Sequence, residues 1–287
     1  MGESNEIDVR NEIDVRYDNY LNRLAFNDFS ETDLNFLMAI CSRMRDLGEE
    51  KQVFTYETIM ELIEWDKRNT IKVFHRDLMR MCEKLRRIGT TIEIREGVFS
   101  SFNLFSTFTG DIQKRTLTVR VNGDFLFILN DLKKQFTRFE LGEYVRLDGR
   151  YSKMLYQRLK QFKSSGWWQV GIDDFRSMMD EPMKYAAKHI VNKVIKPSIE
   201  TIKNGKGFGD LSVEVVRGSR RGRPIKGFKF TWTANGQIPG QMRIEEILKD
   251  DGDGSGDMIH PKTKNAFNNF PQRRYEKGEL DQFIANH

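Results

Sequence analysis

The sequence predicts an α+β chain of two tandem winged-helix (winged helix-turn-helix) domains with a flexible C-terminal tail. Three observations predict it. The order helix, strand, helix, helix, β-hairpin occurs twice along 287 residues, a length that suits two domains at about 150 residues each. Positive charge gathers where the second helix and hairpin of each unit fall. After Trp232 the composition changes to Gly-, Asn- and Asp-rich segments.

The chain starts with an exact tandem hexapeptide, NEIDVR at 5–10 and 11–16, too short a series for a stacked repeat. Residues 1–19 are therefore expected to form a flexible arm. The first domain is expected over 20–136. In SETDLNFLMAICSRMRDLG (30–48), Ser30 is a good N-cap and Asp33 suits the first turn. Leu34, Leu37, Met38, Cys41 and Met44 recur at helical steps, and Gly48 marks the end. KQVFTY reads as a short strand and YETIMELIEW as a brief helix. In residues 68–89, Ile71, Phe74, Leu78, Met81, Leu85 and Ile88 form one helical stripe, with Lys72, His75, Arg76, Arg80 and Arg87 elsewhere. The stretch that follows alternates like hairpin strands, with Gly97 and Gly110 as candidate turns.

The second domain is expected over 137–234. LGEYVRL and residues 149–166 are helical, WWQV is a short strand and GIDDFRSMM a short helix. Residues 182–204 read as one long helix, with Pro197 kinking or breaking it near Lys193, whose carbonyl the ring would crowd. LSVEVV and IKGFKFTW flank a basic turn. Residues 235–287 are a linker and tail, including the possible helix MRIEEILKD.

The net charge is only +5, but residues 184–232 hold twelve Lys/Arg against three Asp/Glu, and residues 67–95 hold nine against three. Two basic islands in a balanced chain point to a polyanion, with nucleic acid foremost. On the long helix, Ala187, Val191, Val194, Ile195 and Ile202 share one side, with Tyr185, Lys188, His189, Asn192, Lys193 and Lys196 on the other. Asn pairs bidentately with adenine and Lys reaches guanine, so the second face suits a major groove; the alternative is a solvated lysine face. A preceding short helix and a following basic hairpin favour the groove. Arg220, Arg221, Arg223 and Lys226 crowd the hairpin turn and suit phosphates or a neighbouring minor groove, with Gly218 and Gly222 permitting a tight turn. In the first domain Arg68, Lys72, His75, Arg76 and Arg80 form a looser stripe, fitting either a second DNA surface or a solvated face.

Catalytic and cofactor readings fare badly. The four histidines are scattered without H-x-H or H-E-x-x-H spacing, which argues against metal-dependent relaxases and zinc proteases. NGKGFGD lacks the P-loop spacing. DGDGSGDMIHPK places Lys262 where a calcium loop needs a bidentate Glu. Hence no cofactor, no metal and no enzymatic activity are expected. Cys41 and Cys82 sit in apolar helical patterns and are expected as buried thiols, which points to the cytoplasm. The acidic N-terminus lacks an apolar signal region, and no apolar run approaches a membrane span.

The residues YSKMLYQRLKQFKSSGWWQVGIDDFRSMM, the K-P helix ending VIKPSIETIKN and the strands around RGRPIKGFKF resemble the iteron-binding plasmid replication initiators of the RepA/RepB type. The resemblance covers about residues 20–232 and is closest in the second half. It implies a protein that binds directly repeated duplex sequences at a plasmid origin, opens the origin and recruits host helicase- and primase-loading proteins without cleaving bonds. It also implies autorepression and a homodimer in equilibrium with monomer, dimerising through the first domain. Carried onto this sequence, Lys184, Lys188, His189, Asn192 and Lys193 fall on the recognition helix and Arg220, Arg221 and Arg223 on its wing. A winged-helix transcriptional regulator is the alternative.

Overall fold

Apolar residues at two-residue spacing make strands here, and those at three- and four-residue spacing make helices; the computed structural model shows how they pair. It describes residues 13–24, 26, 28–66, 70–95, 97–130, 132, 135–180, 186–205, 207–219 and 224–234, the side chains of 92–94 excepted. The proposed tail over 235–287, its candidate helix and its calcium-loop-like stretch lie outside the described residues.

The first unit runs α1 (Glu31–Met44), β2 (Gln52–Thr55), α2 (Tyr56–Leu62), α3 (Ile71–Leu85), β3 (Gly89–Arg95), β4 (Val98–Asn103), β5 (Phe105–Asp111) and β6 (Thr116–Val121), preceded by β1 (Asp14–Asp18). A short 3₁₀ turn and α4 (Leu126–Leu129) lead to β7 (Phe136–Glu140) and α5 (Leu141–Val145). The second unit runs α6 (Arg150–Gln161), β8 (Trp167–Gly171), α7 (Ile172–Met179), α8 (Ala187–His189), a π-helical turn (Ile190–Ile195), α9 (Lys196–Lys203), β9 (Ser212–Arg217) and β10 (Ile225–Thr231). The two three-stranded sheets, β2-β6-β5 and β8-β10-β9, have the same antiparallel topology: the strand before the helix pair bonds to the last strand of the wing. β3 and β4 form a separate hairpin inserted between α3 and the first wing.

α1 begins with a reciprocal cap. Ser30 Oγ accepts from Asp33 N at 3.2 Å and Ser30 N donates to Asp33 Oδ2 at 2.7 Å. The helix is buried on nearly every side, from Leu34 to Met44, because it packs against α2 and α3 of the first unit and against α5 and α6 on the other side. Cys41 and Cys82 are both free and buried, and burial pushes each thiol up to about 12.

Four expectations need correction. Residues 14–18 do not belong to a flexible arm: DVRYD pairs with β7, and Val15 and Tyr17 are fully buried. A short strand whose partner lies far along the chain needs only two inward side chains to be held. Residues 13–16 of the second hexapeptide copy thus enter the fold, while the first copy lies outside the described residues. The boundary expected between 136 and 137 falls inside β7. Gly110 lies within β5, and the turn is at 112–115, where Asp111 Oδ1 accepts from Gln113 N and Lys114 N at 2.9 and 3.0 Å and Arg115 adopts a left-handed conformation. The helix expected over 182–204 is seen from Ala187, since Ala186 is extended (ψ 146°); residues 182–185 lie outside the described residues.

The seam between the units is polar and buried. Tyr17 Oη donates to Asn22 Oδ1 at 3.0 Å, and Asn22 Nδ2 donates to Thr137 Oγ1 at 2.9 Å and Gln161 Oε1 at 3.0 Å. Thr137 Oγ1 in turn donates to Asn19 Oδ1 at 2.7 Å. Nearby, the fully buried Lys153 donates from Nζ to the carbonyls of Tyr144 (2.8 Å) and Val145 (3.0 Å), the last turn of α5, and lies 3.7 Å from Glu31 Oε1. Glu31 Oε2 also accepts from Gly149 N at 2.8 Å, so the start of α1 is tied to the start of α6. Satisfied networks of this kind fix one arrangement of packed elements.

Candidate nucleic-acid interface

The second unit presents its basic face on the helix after α7. Ile190, Val194, Ile195, Ser198 and Ile202 are buried and bolt the helix to the core, while Lys188, His189, Asn192, Lys193 and Lys196 are all exposed. Ala187 and Val191, read as inward, are half-buried. Lys184 and Tyr185 lie outside the described residues. Pro197 does not break the helix: the chain runs through the π-helical turn into α9 with Pro197 in its first turn.

The wing beside this helix is β9–β10. Gly218 N donates to Pro224 O at 2.8 Å and closes the base of the turn. Arg220, Arg221 and Arg223 lie outside the described residues, between those two anchors. The pairing slips between Ile225 and Gly227, so Lys226 is the extra, exposed residue of a bulge, a device that re-aims a strand at a sheet margin. Gly227 lets β8 lie close on the other side of β10, because a β-carbon there would collide with the Val170 carbonyl. Gly218 is not in the left-handed region, and a β-carbon there would make only ordinary contact with Lys226 and Pro224. Trp168 stacks on Phe230 at 5.3 Å between ring centroids and keeps β8 and β10 in register behind the wing.

In the first unit, α3 is capped by Thr70 Oγ1, which accepts from Val73 N. Lys72, Arg76 and Arg80 are exposed at i, i+4 and i+8. The last two share Asp77, which is 8% exposed: Arg76 Nε and Arg80 Nη2 lie 3.5 and 3.1 Å from its Oδ1. Half their charge is thus answered within the helix. His75 is half-buried, stacked on Tyr56 with Nδ1 in a 2.5 Å hydrogen bond to that hydroxyl, so it is less available to a groove than its neighbours. Arg68 lies outside the described residues. The first wing tip adds Lys114 and Arg115, both exposed, a pair that taking Gly110 as the turn conceals. Among the described residues no three His, Cys, Asp or Glu side chains gather as a metal site, and no helix is long and apolar enough to cross a membrane.

The chain matches the model of the Initiator Replication protein family, WH1, over residues 14–160 and that of the Initiator Rep protein, WH2, over 171–232. It is 34% identical over 226 residues to a probable replication protein rep of Bifidobacterium longum (strain NCC 2705), covering 78% of this chain and 73% of that protein. Among solved structures it resembles the Pi initiator protein in complex with iteron DNA, with a TM-score of 0.59 and 15% identity over 79% of this chain and 99% of that one. The last is a likeness of fold: two winged helices in tandem.

Proposed function

The chain belongs to the Initiator Replication protein family, and on that premise we propose that it starts plasmid replication by binding directly repeated duplex sequences at the origin. The observation that carries the reading is the exposed face of Lys188, His189, Asn192 and Lys193, held by buried Ile190, Val194 and Ile195 beside a wing whose bulge turns Lys226 outward. Asn192 and the lysines offer the donors and acceptor that major-groove edges of adenine and guanine require. Arg220, Arg221 and Arg223 on the wing, with Lys226, hold phosphates and set the register. Lys72, Arg76 and Arg80 on α3, with Arg68 before them, give the first unit a second, weaker contact, since the single carboxylate of Asp77 is shared by Arg76 and Arg80. Two such helices reach major-groove surfaces about one turn, roughly 34–36 Å, apart.

The protein works by binding rather than by breaking bonds. Opening of the origin follows from deformation of the bound duplex, and host helicase- and primase-loading proteins join afterwards. The first unit also serves dimerisation: Val53 on the edge strand β2 and Phe99 on the inserted hairpin are 63% and 70% exposed, apolar surface that a second copy would cover. The dimer, in equilibrium with monomer, represses the protein's own promoter.

Replacing His189 and Asn192 together by alanine tests the central assignment. Preference for the direct repeats over a scrambled duplex falls by about tenfold to a hundredfold, the worth of lost base contacts. Binding to the scrambled duplex changes much less. Unaltered discrimination in the double variant removes the recognition helix from the account.

A further inference from the structure

From Ile190 onward the helix buries Val194, Ile195, Ser198 and Ile202, one broad face at three- and four-residue steps. Pro197 is exposed and Thr201 half-buried. The departure from α-helical geometry lies in the hydrogen bonding: in the π-helical turn the Lys196 N–H reaches back five residues to the Val191 carbonyl and so adds one residue to the turn.

Pro197 follows directly. It has no N–H for the Lys193 carbonyl, its α-helical acceptor, and its ring crowds that oxygen. A widened turn relieves both problems without ending the helix. Lys188 and His189 stand before the turn and Asn192 and Lys193 within it, all exposed. Ile195, which ends the turn, and Ser198 and Ile202 beyond it are 0%, 1% and 1% exposed and fix the C-terminal half in the core.

We propose that Pro197 is a positioning residue for DNA readout: by holding the π turn it sets the rotation of Lys188, His189, Asn192 and Lys193 against the anchored half of the helix. The proposal rests on the reading of that face as the recognition surface. Pro197 acts through the four side chains ahead of it. Losing the extra residue from the turn would rotate Lys188 and His189 by about 100° relative to α9 and re-aim Asn192 and Lys193 within the turn itself, far beyond what a bidentate base contact tolerates.

Pro197→Ala restores the missing donor and introduces the best helix former, so it favours a regular α-turn and does not endanger folding. The test uses the full chain with Pro197→Ala or Asn192→Ala. The probes are a duplex of the direct repeats flanking its coding sequence and a scrambled duplex of equal length, titrated by fluorescence anisotropy at several salt concentrations, with thermal melts alongside. Pro197→Ala is expected to lose about tenfold or more of its discrimination. Its affinity for the scrambled duplex and its salt slope stay within about twofold of the parent, since no phosphate contact is removed, and its melt stays cooperative at a lowered Tm, because the buried Ile190 and Val194 turn with the face. Full discrimination overturns the proposal. So does a parallel fall of both affinities, which would make Pro197 a purely structural residue. Asn192→Ala separates the two ideas. If it too discriminates fully, the recognition surface is misassigned and the proposal falls with it. If it loses discrimination while Pro197→Ala keeps it, only the role of Pro197 falls.

Discussion

Replacing Arg220, Arg221 and Arg223 together by alanine lowers affinity for every duplex, repeats and scrambled sequence alike, by on the order of a hundredfold near 0.15 M salt. Three phosphate contacts release about three counterions, so the plot of log K against log salt flattens by about 2.7. The ratio of specific to scrambled binding stays nearly constant. The described frame of the wing is well held: the Gly218 N–H donates to the Pro224 carbonyl, the bulge at Lys226 follows, and Phe228 and Phe230 of β10 are fully buried. Salt titrations of parent and triple variant measure this directly. A variant that loses discrimination yet keeps its salt slope would mean that the arginines read bases instead of gripping phosphate.

Lys153→Met costs about 1–3 kcal/mol at pH 7, because the carbonyls of Tyr144 and Val145 lose a buried donor. The cost grows with pH. Burial lowers the Lys153 ammonium from the ordinary 10.5 to about 8, with Glu31 holding it partly up. Below pH 8 the lysine is charged in both folded and unfolded chains, and the full cost of burying that charge is present. Between pH 8 and 10.5 the unfolded chain binds the proton more than the folded one, so the parent gains up to about 1.4 kcal/mol for each pH unit from this group. The Met variant gains nothing there. Urea unfolding at pH 7, 8, 9 and 10 should show the gap between the two proteins widening; a gap that narrows contradicts the buried, charge-bearing cap. Because Glu31 begins α1 and Lys153 lies on α6, the same substitution loosens the seam between the two units.

How far the sequence carries differs from element to element. α1 is readable because Ser30, Asp33 and the apolar steps from Leu34 to Met44 agree, and cap and core then coincide in space. The second unit is readable because one short helix, one basic helix and one basic hairpin follow in order. β1 is not: DVRYD offers only Val15 and Tyr17 as inward residues, its partner β7 is remote, and the hexapeptide duplication distracts from both. The first wing is half legible. Gly97 does stand at a left-handed turn, but at 110–115 the turn is made by an aspartate side chain and a left-handed arginine, which glycine counting overlooks. For the site, exposure of Lys188, His189, Asn192 and Lys193 and burial of Val194, Ile195 and Ile202 follow from periodicity. Pro197 announces a disturbance, and the structure shows it as a widened turn instead of a break. His75 shows the converse: spacing puts it with the basic stripe of α3, and a tyrosine from the preceding helix claims its ring.

The most direct measurement is the affinity of the unaltered chain for a duplex of the direct repeats and for a scrambled duplex of equal length, by fluorescence anisotropy at about 0.15 M salt. Recognition by the face of Lys188, His189, Asn192 and Lys193 predicts a preference of about a thousandfold or more. Equal, steeply salt-dependent binding to both duplexes would contradict it, leaving a wing that only holds phosphate.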